Sequence, residues 1–273
     1  MKKQFYIFEG ELFPIVENAT FCVSECSHEI ISEQVRLYNT RPLFLEEHLQ
    51  HLQQSLESIS VNFPEHITAE RISRYITRLL NVNKVYKGGI CSIHCIISNL
   101  TQVQVALTIT ALPELSYSFN DKGLHALCDS NFVLYPPYLH SSYNCNSSVY
   151  IRASRYVHYN NYDLALIYNA NNCIESTTAG VLVYMKQKTL FVVGNTPKNP
   201  LFTHFLHSVE QHKFSVEYNA QCVITDISGA NDIFVFNSAE GIRWISELNA
   251  MVYGFKYAKD VYRLLVQYMH TIS

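Results

Sequence analysis

Leu45, Leu49, Leu52, Leu56 and Ile59 recur at spacings of four, three, four and three, the period of an α-helix with one apolar face. Glu46 and Glu47 stand in its first turn, where negative charge meets the partial positive charge of a helix N-terminus. A helix patterned this way must bury its stripe against a sheet or a second helix. The flanking sequence offers both. Thr68 is placed to cap a helix whose own stripe is Ile72, Ile76 and Leu79. Residues 90–98 and 103–110 read as strands, and Asn99-Leu100-Thr101-Gln102 closes the hairpin between them. In the second strand Val103, Val105, Leu107 and Ile109 alternate with Gln104, Ala106, Thr108 and Thr110, so one face is buried. Upstream, short apolar runs at 5–8, 13–16, 20–23 and 32–38 read as a meander of strands. Residues 1–115 therefore form a smaller α+β domain in this reading.

Residues 112–123, LPELSYSFNDKG, are polar and rich in turn formers, the composition of a domain boundary. Residues 116–273 are expected to form a second, larger α+β domain. In it, 124–134 reads as strand, and Pro136-Pro137 leads into a helix with Val149, Ala153 and Val157 on one face. Residues 164–168 are an unbroken apolar strand, and 181–185 pairs with 190–193 across Lys186-Gln187-Lys188. Pro200 starts a helix that turns Leu201, Phe205 and Val209 inward. Strands are expected at 214–218, 233–236, 242–248 and 251–255, and a final helix at 258–270 with Val261, Leu264, Leu265 and Tyr268 as its stripe. The fold class is α+β, in two domains.

Composition closes off several functions. A chain of 273 residues, 48% hydrophobic and 16% charged, is a compact folded protein. Its net charge of −3 gives no basic field to draw in nucleic acid or an anionic membrane, so neither is an expected partner. No window approaches the ~18 apolar residues of a membrane helix. The start, MKKQFYIFEGELF, is interrupted by Glu9 and Glu11 and is no signal peptide, so the cytoplasm is the expected location. The 19 Tyr and 15 Phe fit either an oligomer interface or the core of one subunit. Among eight cysteines, Cys91 and Cys95 share a strand face as buried reduced thiols. Cys22, Cys26 and His28 have the look of metal ligands, but no second pair matches their spacing, and no metal is expected.

Four segments carry a resemblance. They are RLYNTRPLFLEEHLQHL at 36–52, DLALIY at 163–168, IESTTAG at 174–180 and FVFNSAEGI at 234–242. In order and spacing they resemble the class IV aminotransferases, the fold-type IV pyridoxal-phosphate enzymes. That family includes branched-chain and D-amino-acid aminotransferases and aminodeoxychorismate lyase, and the length is most similar to the lyase and D-amino-acid groups. The resemblance implies a two-domain fold with its active site at the domain interface. It also implies a homodimer, a pyridoxal phosphate cofactor and a small amino-acid-like ligand.

It further implies roles for particular residues. Glu175 stands where the family places the carboxylate that keeps the pyridine nitrogen protonated and the ring an electron sink. A solvated turn glutamate is the bland alternative. His51 stands where the family has the phosphate-binding arginine, and an imidazole is only partly charged at neutral pH unless the dianion favours its protonation. Ser176, Thr177, Thr178, Thr203 and Ser238 supply hydroxyls for a phosphate cradle, although each is also an ordinary turn or cap residue. The family's anchoring lysine precedes the asparagine matched by Asn144 by three or four residues, which here are Ser141 and His140. No lysine lies between Lys122 and Lys186. Neither side chain offers the amine nucleophile and proton shuttle of the family, so any pyridoxal phosphate is held without a covalent link. Two functions follow. One is an aminotransferase-like or lyase-like protein that still uses the cofactor, with His140 as a substitute base. The other is a non-catalytic descendant serving as a binding module.

The remaining candidates have structural explanations beside the functional ones. Tyr135, Tyr138 and Tyr143 can fill a vacated cofactor pocket or simply pack. His204 and His207 share a helix face, with His212 off it, and an exposed polar face is the expectation over a metal pair. His94 reads as a satisfied strand histidine.

Overall fold

The computed structural model describes residues 4–15, 29–98, 102–134, 148–194, 199–212 and 214–272. Within them the chain divides into one compact unit ending at Leu115 and another beginning at Ser116. The expected strand at 20–23, Cys22, Cys26, His28, the turn at 99–101, Tyr135, Tyr138, His140, Ser141, Tyr143 and Asn144 lie outside the described residues.

The first unit runs β1 (Gln4–Phe8), β2 (Glu11–Ile15), β3 (Glu29–Tyr38), β4 (Arg41–Pro42), α1 (Leu45–Glu57), α2 (Ala69–Asn83), β5 (Gly88–Ser98) and β6 (Gln102–Ala111). Its strands form an antiparallel sheet in the order β2-β1-β6-β5-β3-β4. Alternate residues point to opposite faces of a strand, so Ile31, Val35 and Leu37 lie on one side with Cys91, Ile93, Cys95, Val105 and Leu107. Both helices cover that side. Leu45, Leu49, Leu52 and Leu56 of α1 and Ile72, Ile76 and Leu79 of α2 join the same core. Each buried leucine or isoleucine contributes about 1.5–3 kcal/mol relative to exposure, so the two stripes hold this unit together. Thr68 caps α2 by accepting from the Arg71 amide at 3.3 Å. Burial pushes the Cys91 and Cys95 thiols up to about 12, which keeps them protonated and inert.

The second unit continues with β7 (Leu124–Leu127), β8 (Val133–Leu134), α3 (Ser148–Tyr159), β9 (Leu164–Asn169), β10 (Ile174–Thr177), β11 (Val181–Lys186), β12 (Thr189–Val193) and α4 (Pro200–Glu210). It ends with β13 (Ser215–Asn219), α5 (Ile224–Ser228), β14 (Asp232–Asn237), β15 (Gly241–Leu248), β16 (Met251–Val252) and α6 (Lys256–Thr271). The main path of its sheet is β10-β9-β7-β15-β14-β11-β12-β13, with β16 on β15 and β8 on β9. β7 pairs parallel with both β9 and β15, while β10 on β9 and β14 on β15 are antiparallel, and residues Leu164–Tyr168 of β9 are all apolar and buried. Ala153 and Val157 of α3 pack on Ala165 and Ile167, as the one-sided stripe of that helix requires. Phe202 stacks on Phe236 at a 4.4 Å centroid distance, fixing α4 against β14. No helix among the described residues is long and apolar enough to cross a membrane.

Two local differences from the sequence expectation have clear causes. The strand expected at 251–255 stops at Val252 because the chain must turn into α6, which begins two residues earlier than the apolar stripe suggests. The buried Asp232 side chain receives that helix, accepting from the Ala258 amide at 2.7 Å. Burial pushes the Asp232 carboxyl up, and the amides of Ala258, Tyr257 and Lys256 pull it back in part. The short α5 carries too few residues for a periodic signal.

Asp232→Ala removes the acceptor of α6's N-terminal amides and is expected to cost about 1–3 kcal/mol, read from urea midpoints. A folded-state carboxyl raised above its unfolded value holds its proton longer in the native protein. Its contribution is therefore present at low pH and lost as pH rises from about 4 through the folded value. Asp232→Asn, which cannot ionise, is expected to flatten that part of the stability–pH curve.

Candidate active site

The second unit presents the residues singled out by the sequence, beginning at the turn between β9 and β10. Asn169 ends β9 and organises this turn. Its Oδ1 accepts from the amides of Asn171 and Cys173, both at 3.0 Å. Asn172 takes the left-handed backbone that asparagine tolerates better than most residues. The Asn169 Nδ2 then donates to Glu175 Oε2 at 3.2 Å. The asparagine-rich sequence is thus a turn whose side-chain amide orients a carboxylate.

Glu175 itself sits at a break in the ladder. Ile174 pairs with Tyr168 and Ser176 with Ile167, so two steps on β10 match one on β9. Glu175 is the extra residue of this β-bulge, a device that re-aims a side chain out of the regular alternation. Behind it, Gly194 follows β12 with φ +90°, and a Cβ there would fall 2.4 Å from the Glu175 carbonyl oxygen. Only glycine fits so close to the bulge. Next along β10, Ser176 hydrogen-bonds to the Tyr150 hydroxyl of α3. Burial pushes the Tyr150 phenol up, the Ser176 hydrogen bond lowers it in part, and the Glu175 charge adds to the rise, so Tyr150 stays protonated at neutral pH.

The other hydroxyls have defined work. Thr177 is buried, donates to the Gly180 carbonyl at 2.8 Å and accepts from the Ala179 amide at 3.1 Å, which closes the turn into β11. The Thr178 hydroxyl accepts from the Ala165 amide at 3.0 Å. The Asn237 side chain donates to the Ala179 carbonyl at 3.0 Å, tying this turn to the one after β14. There Ser238, also buried, accepts from Asn199 Nδ2 at 2.6 Å. Asn199 caps α4 through its Oδ1, and Thr203 donates to the Asn199 carbonyl at 3.2 Å. Hydrogen bonds thus fix Glu175 to Asn169, Ser176 to Tyr150 and Thr178 to β9, and tie the turn at Ala179 to Asn237, while a separate set joins Ser238, Asn199 and Thr203. Sequence reading missed Asn169, Tyr150, Asn199 and Asn237, whose roles depend on partners distant in the chain.

In the first unit His51 lies on α1 with its Nδ1 4.0 Å from the buried Glu33 carboxylate, and His48 contacts the same carboxylate at 2.9 Å. His94 pairs with Ser32 across β3 and β5 at 2.7 Å, and burial pushes its imidazole down, so it is neutral at physiological pH. The His204 and His207 rings are 6.5 Å apart on α4, and no cluster of three or more possible metal ligands occurs among the described residues.

The family described as Amino-transferase class IV matches residues 31–248. The chain belongs to that family. No curated protein sequence matches it. Its fold is similar to that of the T.th. branched-chain amino acid aminotransferase complexed with N-(5'-phosphopyridoxyl)-L-glutamate, with TM-score 0.82, 13% identity, and 99% and 95% of the two chains covered. The branched-chain aminotransferase of Thermoproteus uzoniensis with norvaline gives TM-score 0.80 and 15% identity over 98% of this chain and 95% of that one. A candidate 4-amino-4-deoxychorismate lyase from Legionella pneumophila gives 0.74 and 18%, covering 88% and 91%. The mixed α/β architecture is thus that of fold-type IV pyridoxal-phosphate enzymes. In this class IV family member the bulge and the site hydroxyls all fall within the family-matched residues.

Gly194→Ala is expected to lose about 1–3 kcal/mol of stability, because its Cβ meets backbone at a left-handed position and cannot be relieved by a side-chain rotation. Urea denaturation checks this.

Proposed function

We propose that the protein is a class IV aminotransferase homologue that binds pyridoxal phosphate non-covalently together with an amino-acid-type ligand, and that the family's lysine-dependent route does not operate in it. The observation that carries the reading is the bulged Glu175, held by Asn169 through Oε2 with Oε1 left as the acceptor for a protonated ring nitrogen. The donor set fits the cofactor at that end. The hydroxyls of Ser176, Thr178, Thr203 and Ser238, with the imidazole of His51, are the groups proposed for the phosphate. Thr177 contributes by shaping the turn, since its hydroxyl already serves two backbone groups. The fit fails at the anchor, because the sequence has no lysine from 123 to 185 and proposes Ser141 or His140 in its place.

Bound pyridoxal phosphate supplies an electron sink for carbanion chemistry. The residues of this chain would keep the ring nitrogen protonated at Glu175 and hold the phosphate, but they offer no primary amine to move a proton at the substrate carbon. His140 is the side chain proposed for any residual proton transfer. The absent amine also favours a second reading, a non-catalytic binding module that has kept the fold. A homodimer in the cytoplasm is the setting proposed by likeness to the family.

Pyridoxal phosphate titration, followed by absorbance and calorimetry, tests the first reading. Saturable binding is expected, weakened about ten- to a hundredfold in Glu175→Gln, which loses a hydrogen bond to a charged group. Binding that is absent, or indifferent to Glu175→Gln, overturns it. The Ser141→Lys/His51→Arg double variant is expected to gain a visible absorbance band that borohydride bleaches. A lysine modified by borohydride in the wild-type protein would overturn the assignment of Ser141.

A further inference from the structure

The outer face of α2 carries a line of arginines that neither the core nor the cofactor reading uses. Arg71, Arg74 and Arg78 follow one another at three and four residues, so on an α-helix they form a single stripe. Ile72, Ile76, Leu79 and Leu80 are buried on the opposite side, which turns the stripe away from the sheet. Arg74 and Arg78 are exposed, and Arg71 is half-buried. Neutral groups steady two of the three guanidiniums. Arg71 donates from Nε to the Tyr75 hydroxyl at 2.7 Å and from a terminal nitrogen to the His66 carbonyl at 3.4 Å. Arg78 donates to the Gly10 carbonyl, in the turn between β1 and β2, at 3.2 Å. Among the described residues no carboxylate lies within ion-pair distance of any of the three. Lys84 and Lys87 follow at the end of the helix, so residues 66–87 hold five basic side chains against Glu70 alone, a net of +4. The whole chain stands at −3, which leaves −7 for everything outside this segment.

We propose that this stripe docks an acidic helix of a different protein, one whose carboxylates recur at three and four residues. A rise of about 1.5 Å per residue places the arginines about 4.5 and 6 Å apart along the α2 axis. A helix with glutamates or aspartates at the same intervals presents carboxylates in the same steps. Each carboxylate can take two parallel N–H···O bonds from a guanidinium, a planar match that a point charge does not offer. Among the described helices none carries acidic residues at such intervals, so a second copy of this chain does not supply the partner helix. Charge and size disfavour the larger polyanions. A nucleic-acid strand or an anionic membrane runs past a stripe only about 10 Å long and meets a chain that is otherwise strongly negative. A short acidic helix ends within the basic segment. Exposed Thr77 and Asn81 beside the arginines add no apolar area, so the contact is polar, reversible and sensitive to salt. The α2 face contributes no residue to the cofactor reading, and the two stand or fall separately.

The probe is a labelled, alanine-rich synthetic peptide of about four helical turns with glutamates at three- and four-residue intervals. It is titrated with the whole protein and followed by fluorescence anisotropy. Saturable binding is expected at low salt, weakened about tenfold or more when the ionic strength is raised to about 0.3 M. A peptide of the same composition with its glutamates adjacent in sequence is expected to bind several-fold more weakly. Arg74→Gln/Arg78→Gln is expected to weaken binding about tenfold, the loss of two exposed charge pairs. Both side chains are exposed, and an unchanged urea midpoint confirms that the variant folds. Lys122→Gln/Lys256→Gln removes the same charge from exposed positions in the second unit and is expected to leave binding as it was. The inference is overturned by the absence of saturable peptide binding at low salt, or by binding that Arg74→Gln/Arg78→Gln does not weaken. It is equally overturned if the two double variants lose affinity alike, or if the adjacent-glutamate peptide binds as well as the spaced one. A single-stranded oligonucleotide of equal charge, or an anionic vesicle, that binds more tightly than the peptide overturns it in favour of that class of partner.

Discussion

One extra residue in β10 is the constraint on which the candidate site depends. A regular strand would alternate Glu175 between the faces of the sheet and leave its direction to the neighbouring register. The bulge removes it from that alternation, and the price is a backbone that leans into whatever lies behind it. Gly194 is there because nothing larger fits. Asn169 then fixes the carboxylate from the β9 side while its carbonyl-type oxygen closes the turn. Buried β9 gives the arrangement a rigid reference, since its strand is covered on both faces.

Beyond this point the hydroxyls are held one by one, Ser176 by the Tyr150 hydroxyl, Thr178 by a β9 amide and Ser238 by the Asn199 side chain. Such bonds leave some hydroxyls occupied, as with Thr177, and others with capacity toward a ligand, as with Thr178, which only accepts from Ala165. A Ser/Thr-rich sequence is therefore not equivalent to a phosphate cradle. The distinction is made by which lone pairs and protons the local turns consume. In the first unit the corresponding issue is charge. Glu33 is buried with its carboxylate 2.9 Å from His48 and 4.0 Å from His51, so a group taken out of water there has imidazole neighbours.

Much of the architecture was legible in the sequence because it rests on periodic burial. The stripes of α1 and α2, the alternation in β6 and the continuous apolar run of β9 correspond to elements in the structure. Thr68 as the cap of α2 was readable from its position before the stripe. Where signals were short or non-local, reading stopped. The five-residue α5 has no period, and the end of β16 is set by Asp232, nineteen residues before the strand begins, acting on α6. Asn199, Asn237 and Tyr150 have unremarkable sequence contexts, and their importance comes from partners 39, 58 and 26 residues away.

The sequence by itself determined the family, the paired helices over an antiparallel sheet, the isolated Glu175 and the lack of lysine between residues 122 and 186. These depend on residue identity and on periods of two and 3.6, which are local properties of the chain. Only the tertiary structure decided that Glu175 is a bulge residue backed by Gly194, that Thr177 is spent on its own turn, and that His51 shares a buried carboxylate with His48. Each of these depends on register between strands or on packing of a helix face against a sheet. Register and packing bring together atoms that sequence spacing does not relate.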